Sequence, residues 1–255
     1  MQSVVTAIDA WMMALIFATG MVGCWAFGRW VGRRMAAEPG EDPGSKFIDA
    51  SLALLGLLLA FTFSMSLYRY DERRLAVVAE SNAISDLYTC ASLLKEPIRS
   101  RLQRRIAEYA ENERTVRYER PSAEGLKNVI KRSSEIYGQI TLLSDEAIQA
   151  GTPIAVSLTN ALNNVSSSGA SLLASYEERL PWSIVCLLFL SSIVPSFLIG
   201  EKQGELRRSQ AYGSISFIAL VPLVIFVTLD LNQPHRGLIK VNQTSFERVI
   251  ESMRQ

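Results

Sequence analysis

Apolar residues in this chain are pooled into four long blocks that polar stretches separate. The blocks run from about Ala10 to Val31, from Phe47 to Tyr68, from about Pro181 to Gly200 and from about Tyr212 to Leu231. Each is about 20 residues long, and a helix of that length crosses the roughly 30 Å hydrocarbon core of a bilayer. The pattern therefore predicts four transmembrane helices.

The second block runs directly into a charged segment. From Lys46 to Arg74 the sequence is KFIDASLALLGLLLAFTFSMSLYRYDERR, and neither glycine nor proline follows Gly56 within it. We therefore predict one helix that leaves the membrane and continues into water. Such a helix suits a pore lining or a signalling element better than a plain anchor.

The polar stretch from Arg69 to Leu180 is predicted to be a helical insert. Pro97 should open one helix, since proline is favoured in a first helical turn, and Pro121-Ser122 should break the pattern again. Gly151-Thr152-Pro153 predicts a further start, with Thr152 as the N-cap and Pro153 at the first helical position. That helix is expected to run from Ile154 to about Arg179 and to lead directly into the third span.

Apolar residues of the insert recur mostly every three or four positions, which is the spacing of one helix face. The three expected stripes are Leu75, Val78, Ala79, Asn82, Ile84 and Leu87; Ile98, Leu102, Ile106 and Tyr109; and Leu126, Val129, Ile130, Ile136, Tyr137 and Ile140. No strand-type alternation is visible outside the spans. The predicted fold is all-α: an integral membrane protein with four transmembrane helices and a helical extramembrane bundle between spans two and three.

These boundaries divide the chain into four predicted parts. Residues 1–68 hold the first two spans, 69–180 form the extramembrane insert, 181–231 hold the last two spans, and 232–255 form a C-terminal tail. With four spans, the two short links face one side of the membrane, and the insert and both termini face the other.

Charge and reactive side chains narrow the function classes. The formal net charge is +1, which gives no reason to expect a nucleic acid partner. The three cysteines, Cys24, Cys90 and Cys186, form no CxxC or Cys/His cluster, so we expect small buried thiols and no metal. The one histidine, His235, is expected in a surface loop. No catalytic motif is present, so we expect neither an enzyme nor a cofactor.

The segment from Leu54 to Arg74 resembles the second membrane helix of bestrophins. In that family Leu-Leu-Gly precedes an apolar run with an aromatic residue and then Arg-aromatic-x-Glu-x-Arg. The matching residues here are Leu54, Leu55 and Gly56, then Leu59, Ala60 and Phe61, then Arg69, Tyr70, Glu72 and Arg74. This chain is about one helical turn shorter between the two halves, and Tyr70 replaces the family's tryptophan.

The whole chain resembles more closely the bestrophin-like bacterial membrane proteins classed as a domain of unknown function. They share the four-span layout and a Tyr-Asp-x-Arg-Arg…Glu-x-Asn-Ala order, which here ends in Glu80, Asn82 and Ala83. They also share a closing pattern, which here is Asp230, Pro234, Gly237, Leu238, Ile239, Val241 and Gln243.

Bestrophins are pentameric ion channels whose second helix lines a hydrophobic neck. Carried over from Gly56, the resemblance implies a neck at Leu57, Phe61 and Met65, with Ser64 and Tyr68 beside it. The three neck positions also share one helix face by spacing, and rings of apolar side chains can gate a pore by dewetting. The alternative is that these residues pack against spans one, three or four.

The expected partners are the lipid bilayer, further copies of the chain (a pentamer by resemblance) and small inorganic ions, with anions favoured. The alternative is a non-conducting scaffold or sensor whose insert binds a protein. Lysine and arginine are nearly balanced between the two sides, so the orientation follows the resemblance. We expect a multi-pass protein of the bacterial inner membrane with cytoplasmic termini and insert.

Three further charged features have competing interpretations. Asp49 either caps the start of the second span, which we favour, or faces an ion path. The arginines between Arg99 and Arg120 alternate with glutamates, which favours a solvated face over a basic vestibule. Asp230 stands alone after the last span, which is too few ligands for the calcium site of animal bestrophins.

Overall fold

The structure, a computed structural model, describes residues 9–34, 43–118, 123–178, 180–205, 211–233, 237–239, 241–242 and 244–254. Within these ranges every regular element is a helix, which confirms the all-α class. In chain order the helices are α1 (Ala10–Gly32), α2 (Pro43–Ser92), α3 (Ile98–Tyr118), α4 (Ala123–Gln149), α5 (Ala155–Glu177), α6 (Trp182–Glu205), α7 (Ala211–Leu231) and α8 (Thr244–Arg254).

Four of these helices, α1, α2, α6 and α7, are long and apolar enough to cross a membrane, as predicted. Helix α2 is a single element of 50 residues and does not end at the charged segment. Because α2 already begins at Pro43, Asp49 lies more than one turn inside the helix. The favoured capping role of Asp49 is therefore wrong.

The chain divides into two compact units. The membrane-spanning unit is Met1–Tyr70 with Arg179–Ile239, and the second unit is Asp71–Glu178 with Lys240–Gln255. In the membrane-spanning unit, the core joins α1, α2, α6 and α7. Its most buried members include Phe17, Met21, Leu55, Leu188 and Ile225, and the rings of Phe17 and Phe189 meet edge-to-face at 5.1 Å.

Glycines bring α1 and α6 into direct backbone contact. A Cβ at Gly28 would lie 2.2 Å from the Phe197 carbonyl oxygen, and one at Gly32 would lie 2.0 Å from the Glu201 oxygen. From the other helix, a Cβ at Gly200 would lie 2.1 Å from the Trp25 oxygen. Small residues four apart on both helices therefore allow this close approach, as is common between membrane helices.

In the second unit, α2 buries a row with alternating spacings of four and three residues. The row is Arg73, Val77, Glu80, Ile84, Leu87 and Ala91, and buried Leu94 follows just after the helix. The predicted stripe was right at Ile84 and Leu87 and wrong at Leu75, Ala79 and Asn82, which are exposed. It was wrong because two members of the true row are charged, and a stripe chosen by apolarity passes them over.

The Gly151-Thr152-Pro153 segment ends α4 and does not cap α5. Gly151 has a φ of 76°, and its N–H donates to the Ile148 oxygen at 3.0 Å while the Thr152 N–H donates to the Ala147 oxygen at 3.3 Å. This pair of bonds is the Schellman motif of a helix end. The N-cap of α5 is Ile154, without a side-chain hydrogen bond, so the predicted Thr152 cap is wrong.

Helix α5 also does not lead directly into the third span. It ends at Glu177, Glu178 is extended, and α6 begins at Trp182. Pro181 explains the interruption, since proline disfavours helical conformation in the residue before it. Helix α3 begins directly after Pro97, as expected, whereas the predicted break at Pro121-Ser122 lies outside the described residues.

The C-terminal region contains a helix that the sequence reading did not anticipate. In α8, Phe246 and Ile250 are buried, at the four-residue spacing of one helix face. The Tyr88 hydroxyl donates to the Met253 carbonyl oxygen at 3.2 Å. Residues 244–254 therefore belong to the second unit's packing.

Candidate functional site

The row predicted to line a neck is exposed in the single chain. Leu57, Phe61, Met65 and Tyr68 are 53%, 67%, 43% and 64% exposed, and Ser64 is exposed as well. Large apolar side chains this exposed on one helix face need an apolar or oligomeric environment. The other spans of the same chain do not cover them, so the alternative of intrachain packing has no support.

The opposite face of α2 explains why this row points outward. Leu55, Thr62 and Ser66 are buried, and the Thr62 hydroxyl donates to the Leu58 carbonyl oxygen at 2.8 Å. Because a helix turns 100° per residue, Phe61 lies about 100–140° around the helix from these buried residues and is exposed. The apolar contacts of Leu55 thus set the rotation of the helix.

Gly56 and its small neighbours also lie on the exposed side. Ala53, Gly56, Ala60 and Ser64 are all exposed, and apart from the adjoining backbone of α2 itself no atom of the described chain lies within 4 Å of a Cβ placed at Gly56. Nothing within the chain therefore requires glycine there. Small residues on an exposed membrane helix permit close approach by another helix.

The motif residues Arg69, Tyr70, Glu72 and Arg74 differ in burial. Arg69 and Tyr70 are half-buried and belong to the membrane-spanning unit, whereas Glu72 and Arg74 are exposed and belong to the second. Arg69 and Tyr70 each have an interaction partner.

Two charged residues of α2 that sequence reasoning did not place in the core are almost fully buried. Arg73 and Glu80 are each 1% exposed, and both have interaction partners. A Cβ at Gly169 would lie 3.5 Å from a Glu80 carboxylate oxygen and 3.6 Å from the Tyr109 hydroxyl. Gly169 thus lies against a polar cluster. The signal in the sequence that could have predicted this burial was spacing, since positions 73, 77, 80 and 84 share one helix face.

Beyond Tyr68, the exposed side of α2 continues at spacings of three and four residues. Its members are Glu72, Leu75, Ala79, Asn82 and Asp86. The charged members of this continuation, Glu72 and Asp86, are both acids. Arg74 is exposed but stands two residues from Glu72, and residues at that spacing do not face each other.

The arginines of α3 are mostly paired with glutamates. Arg101 lies 2.6 Å from Glu146, and Arg105 lies 2.6 Å from Glu108. The remaining pairs on this surface are Arg99 with Glu96, Arg114 with Glu111 and Arg132 with Glu108. Hydrogen bonds from Ser100 and Arg99 lower the pKa of Glu96. The described part of this surface is thus the solvated mixed face that the sequence favoured.

Asp230 holds a turn after the last span. Its two carboxylate oxygens accept the N–H groups of Leu238 at 2.8 Å and Ile239 at 2.9 Å. Asn232 accepts the Leu180 N–H at 3.2 Å. A carboxylate in the last turn of a helix is unfavourable, because that end of the helix dipole is negative. This placement was the signal in the sequence that hydrogen-bond donors lie near Asp230.

The other candidate residues carry no site in the described part of the chain. Cys24, Cys90 and Cys186 are free and half-buried, and no group of three potential metal ligands is found among the described residues. His235, like Pro234 and Gln243 of the closing pattern, lies outside the described residues.

The model of the bestrophin-like domain matches residues 14–246, nearly the full length of the chain. The chain belongs to the bestrophin-like family. The predicted family is therefore confirmed. No functionally curated protein matches this bestrophin-like chain.

Solved structures with the same fold include two variants of a bacterial bestrophin homologue from Klebsiella pneumoniae. One has a TM-score of 0.66 at 14% identity and covers 95% of this chain and 97% of its own. The other has a TM-score of 0.65 at 13% identity with the same coverage. A variant described as a membrane protein has a TM-score of 0.66 at 14% identity, covering 96% and 98%. At these identities the similarity concerns the fold.

Proposed function

We propose that this bestrophin-like protein is an oligomeric channel for small ions. Membership of the bestrophin-like family supports a channel-like kind of protein. In the proposal α2 lines the pore, Leu57, Phe61 and Met65 form a hydrophobic constriction, and Ser64 and Tyr68 flank it. The observation that carries the proposal is the exposure of this row on a membrane-spanning helix.

Several copies of the chain are needed for such a pore. One helix presents one apolar face, whereas a constriction needs a closed ring of side chains. The exposed small residues Ala53, Gly56 and Ala60 give α2 a surface on which a neighbouring α2 could pack closely. We propose a homo-oligomer, with five subunits by the family resemblance; a strict monomer in detergent would rule out a shared pore.

Replacing Phe61 with alanine should raise ion flux through reconstituted protein by roughly several-fold. A smaller side chain widens the apolar ring and lowers the cost of wetting it. Flux into vesicles or single-channel conductance measures the change.

Phe63→Ala is the matched control, because Phe63 is the same residue type two positions away on a different side of α2. Its flux should stay near that of the natural protein. Equal flux from all three proteins would remove Phe61 from the constriction, and no flux from any of them would contradict the channel.

The charges along the exposed side of α2 favour cations. In an oligomer, Glu72 and Asp86 would each form an acidic ring, and acidic rings select cations in other channels. The arginines of α3 that could have favoured anions are largely paired with glutamates. We therefore propose cations as the conducted ions, in place of the anions expected from the sequence.

The reversal potential under a potassium chloride gradient tests the sign of the ion. We expect it to lie toward the potassium equilibrium value and to move toward zero in Glu72→Gln with Asp86→Asn. Glu251→Gln removes an exposed acid of α8, away from this helix face, so its reversal potential should not move. A reversal potential closer to the chloride equilibrium value would contradict cation selectivity and support anions as the conducted ions.

A non-conducting scaffold or sensor remains the second candidate. Leu142 and Val156 in the second unit are 70% and 75% exposed, and exposed apolar side chains can contact a protein partner. This candidate predicts an oligomer or complex without flux.

The proposed location is the bacterial inner membrane. The spanning helices support a multi-pass membrane protein. We place both termini and the second unit on the cytoplasmic side, following the family resemblance.

A further inference from the structure

The end of α1 carries a group of arginines stacked on tryptophans. The Arg34 guanidinium carbon lies 3.8 Å from the centre of the Trp30 ring, and that of Arg29 lies 5.4 Å from the Trp25 ring. Both distances are within the range of cation–π interaction. We call Trp25, Phe27, Arg29, Trp30 and Arg34 the Arg–Trp surface.

Neighbouring contacts fix the backbone and one ring of this surface. Gly28 and Gly32 allow the last turns of α1 to pack directly against the backbone of α6. The Trp25 indole N–H donates to the Gln203 side-chain oxygen at 3.1 Å, and the Gln203 amide donates to the Ser214 hydroxyl at 2.5 Å. The helical part of the surface, from Trp25 to Trp30, therefore rests on packed helices, and Arg34 follows in the turn after α1.

Among the described residues, the arginines of this surface have no acidic partner. No described carboxylate forms an ion pair with Arg29, Arg33 or Arg34, and the Nε of Arg29 is buried without a hydrogen-bond partner. Nearby, Lys202 and Glu205 pair with each other at 3.1 Å. Glu201 is the remaining described acid at this end of α6, so positive charge is in excess among the described residues.

The outward side of the same turns is aromatic. Phe27 is 57% exposed and Trp30 is 50% exposed, and their rings stack with centres 5.9 Å apart. Tryptophan at the end of a spanning helix lies at headgroup depth. Guanidinium groups bind phosphate oxygens with two parallel hydrogen bonds, and stacking on a ring leaves their N–H edges available.

We propose that the Arg–Trp surface binds an anionic phospholipid, with the phosphate on Arg34 and an acyl chain along Phe27 and Trp30, while Arg29 adds positive charge on the side of α1 that faces α6. A zwitterionic lipid fits less well, because its ammonium group meets the same positive charge. The inference goes beyond conduction and does not depend on it.

The test uses the purified full-length protein, stripped of lipid in an uncharged detergent. Phosphatidylglycerol or phosphatidylcholine with the same acyl chains is added, and native mass spectrometry measures retained lipid while thermal unfolding reports stabilisation. We expect preferential retention of, and stabilisation by, phosphatidylglycerol. In Arg29→Gln with Arg34→Gln the preference should fall on the order of tenfold, whereas Arg74→Gln, an exposed arginine of the second unit, should keep it.

Other outcomes would overturn the proposal. Equal retention of the two lipids, or a preference unchanged in the double variant, contradicts an anionic lipid site. A thermal shift reproduced by inorganic phosphate alone would indicate a soluble phosphate ligand. Trp30→Leu keeps both charges and should weaken the preference; if it does not, the stacked geometry has no role. Ion flux enters none of these measurements, so failure here and failure of the channel are distinguishable.

Discussion

Gly200→Ala should lower the free energy of unfolding by about 1–3 kcal/mol or more, the cost of overpacking a tight contact. The added methyl carbon would lie 2.1 Å from the Trp25 carbonyl oxygen and 2.9 Å from its carbonyl carbon. Both atoms belong to the backbone of α1, so no side-chain rotation relieves the clash. The helices must separate, and contacts across α1 and α6 weaken along their length.

Thermal unfolding in detergent measures this effect, and Gly23→Ala is its control. Gly23 lies in α1 as well, but no other heavy atom is within 4 Å of a Cβ placed there. Alanine is the better helix former, so this variant should unfold at the same or a slightly higher temperature. Equal temperatures for Gly200→Ala and the natural protein would mean that the helices do not approach as closely as described.

The four spans and the continuous α2 could be predicted because they follow from length and apolarity alone. About 20 apolar residues can satisfy their backbone in a bilayer only as a helix or closed barrel. The segment RYDERR contains strong helix formers and no helix breaker. Local chemistry therefore determines these elements.

The register of α2 in the second unit could not be read from apolarity. Arg73 and Glu80 occupy buried positions there, and a buried charge depends on partners from other helices. Gly169 and Tyr109, which lie at the polar cluster with Glu80, are distant from it in sequence, so hydropathy alone favours the wrong face. The spacing of three and four residues in the buried row of α2 can be seen only when Arg73 and Glu80 are counted among its members.

The Gly151-Thr152-Pro153 segment shows a related ambiguity between a helix end and a helix start. Glycine after a helix and a hydroxyl before one are both common, and here the two signals are adjacent. The positive φ of Gly151 and the hydrogen bond from its N–H to the Ile148 oxygen show that the segment is the end of α4. The row at Leu57, Phe61 and Met65 was placed by the family resemblance and agreed with spacing on one helix face, but its pore role stays a prediction.

Asp230→Ala should lower the free energy of unfolding of the membrane-spanning unit by about 2–4 kcal/mol, since hydrogen bonds to a charged group contribute about 1.5–3 kcal/mol each and do not add fully. The carboxylate is 4% exposed and accepts two backbone N–H groups. Its removal leaves the amides of Leu238 and Ile239 without their acceptor.

Two further variants distinguish this role from a general charge effect. Asp230→Asn keeps the size and one acceptor oxygen but turns an amide donor toward the other N–H, so its loss should lie between those of the natural protein and Asp230→Ala. Asp49→Ala removes an exposed acid of the same unit and should change stability by no more than about 0.5 kcal/mol. If proteolysis near Gly237 and the unfolding temperature are the same in Asp230→Ala as in the natural protein, then Asp230 does not hold this turn.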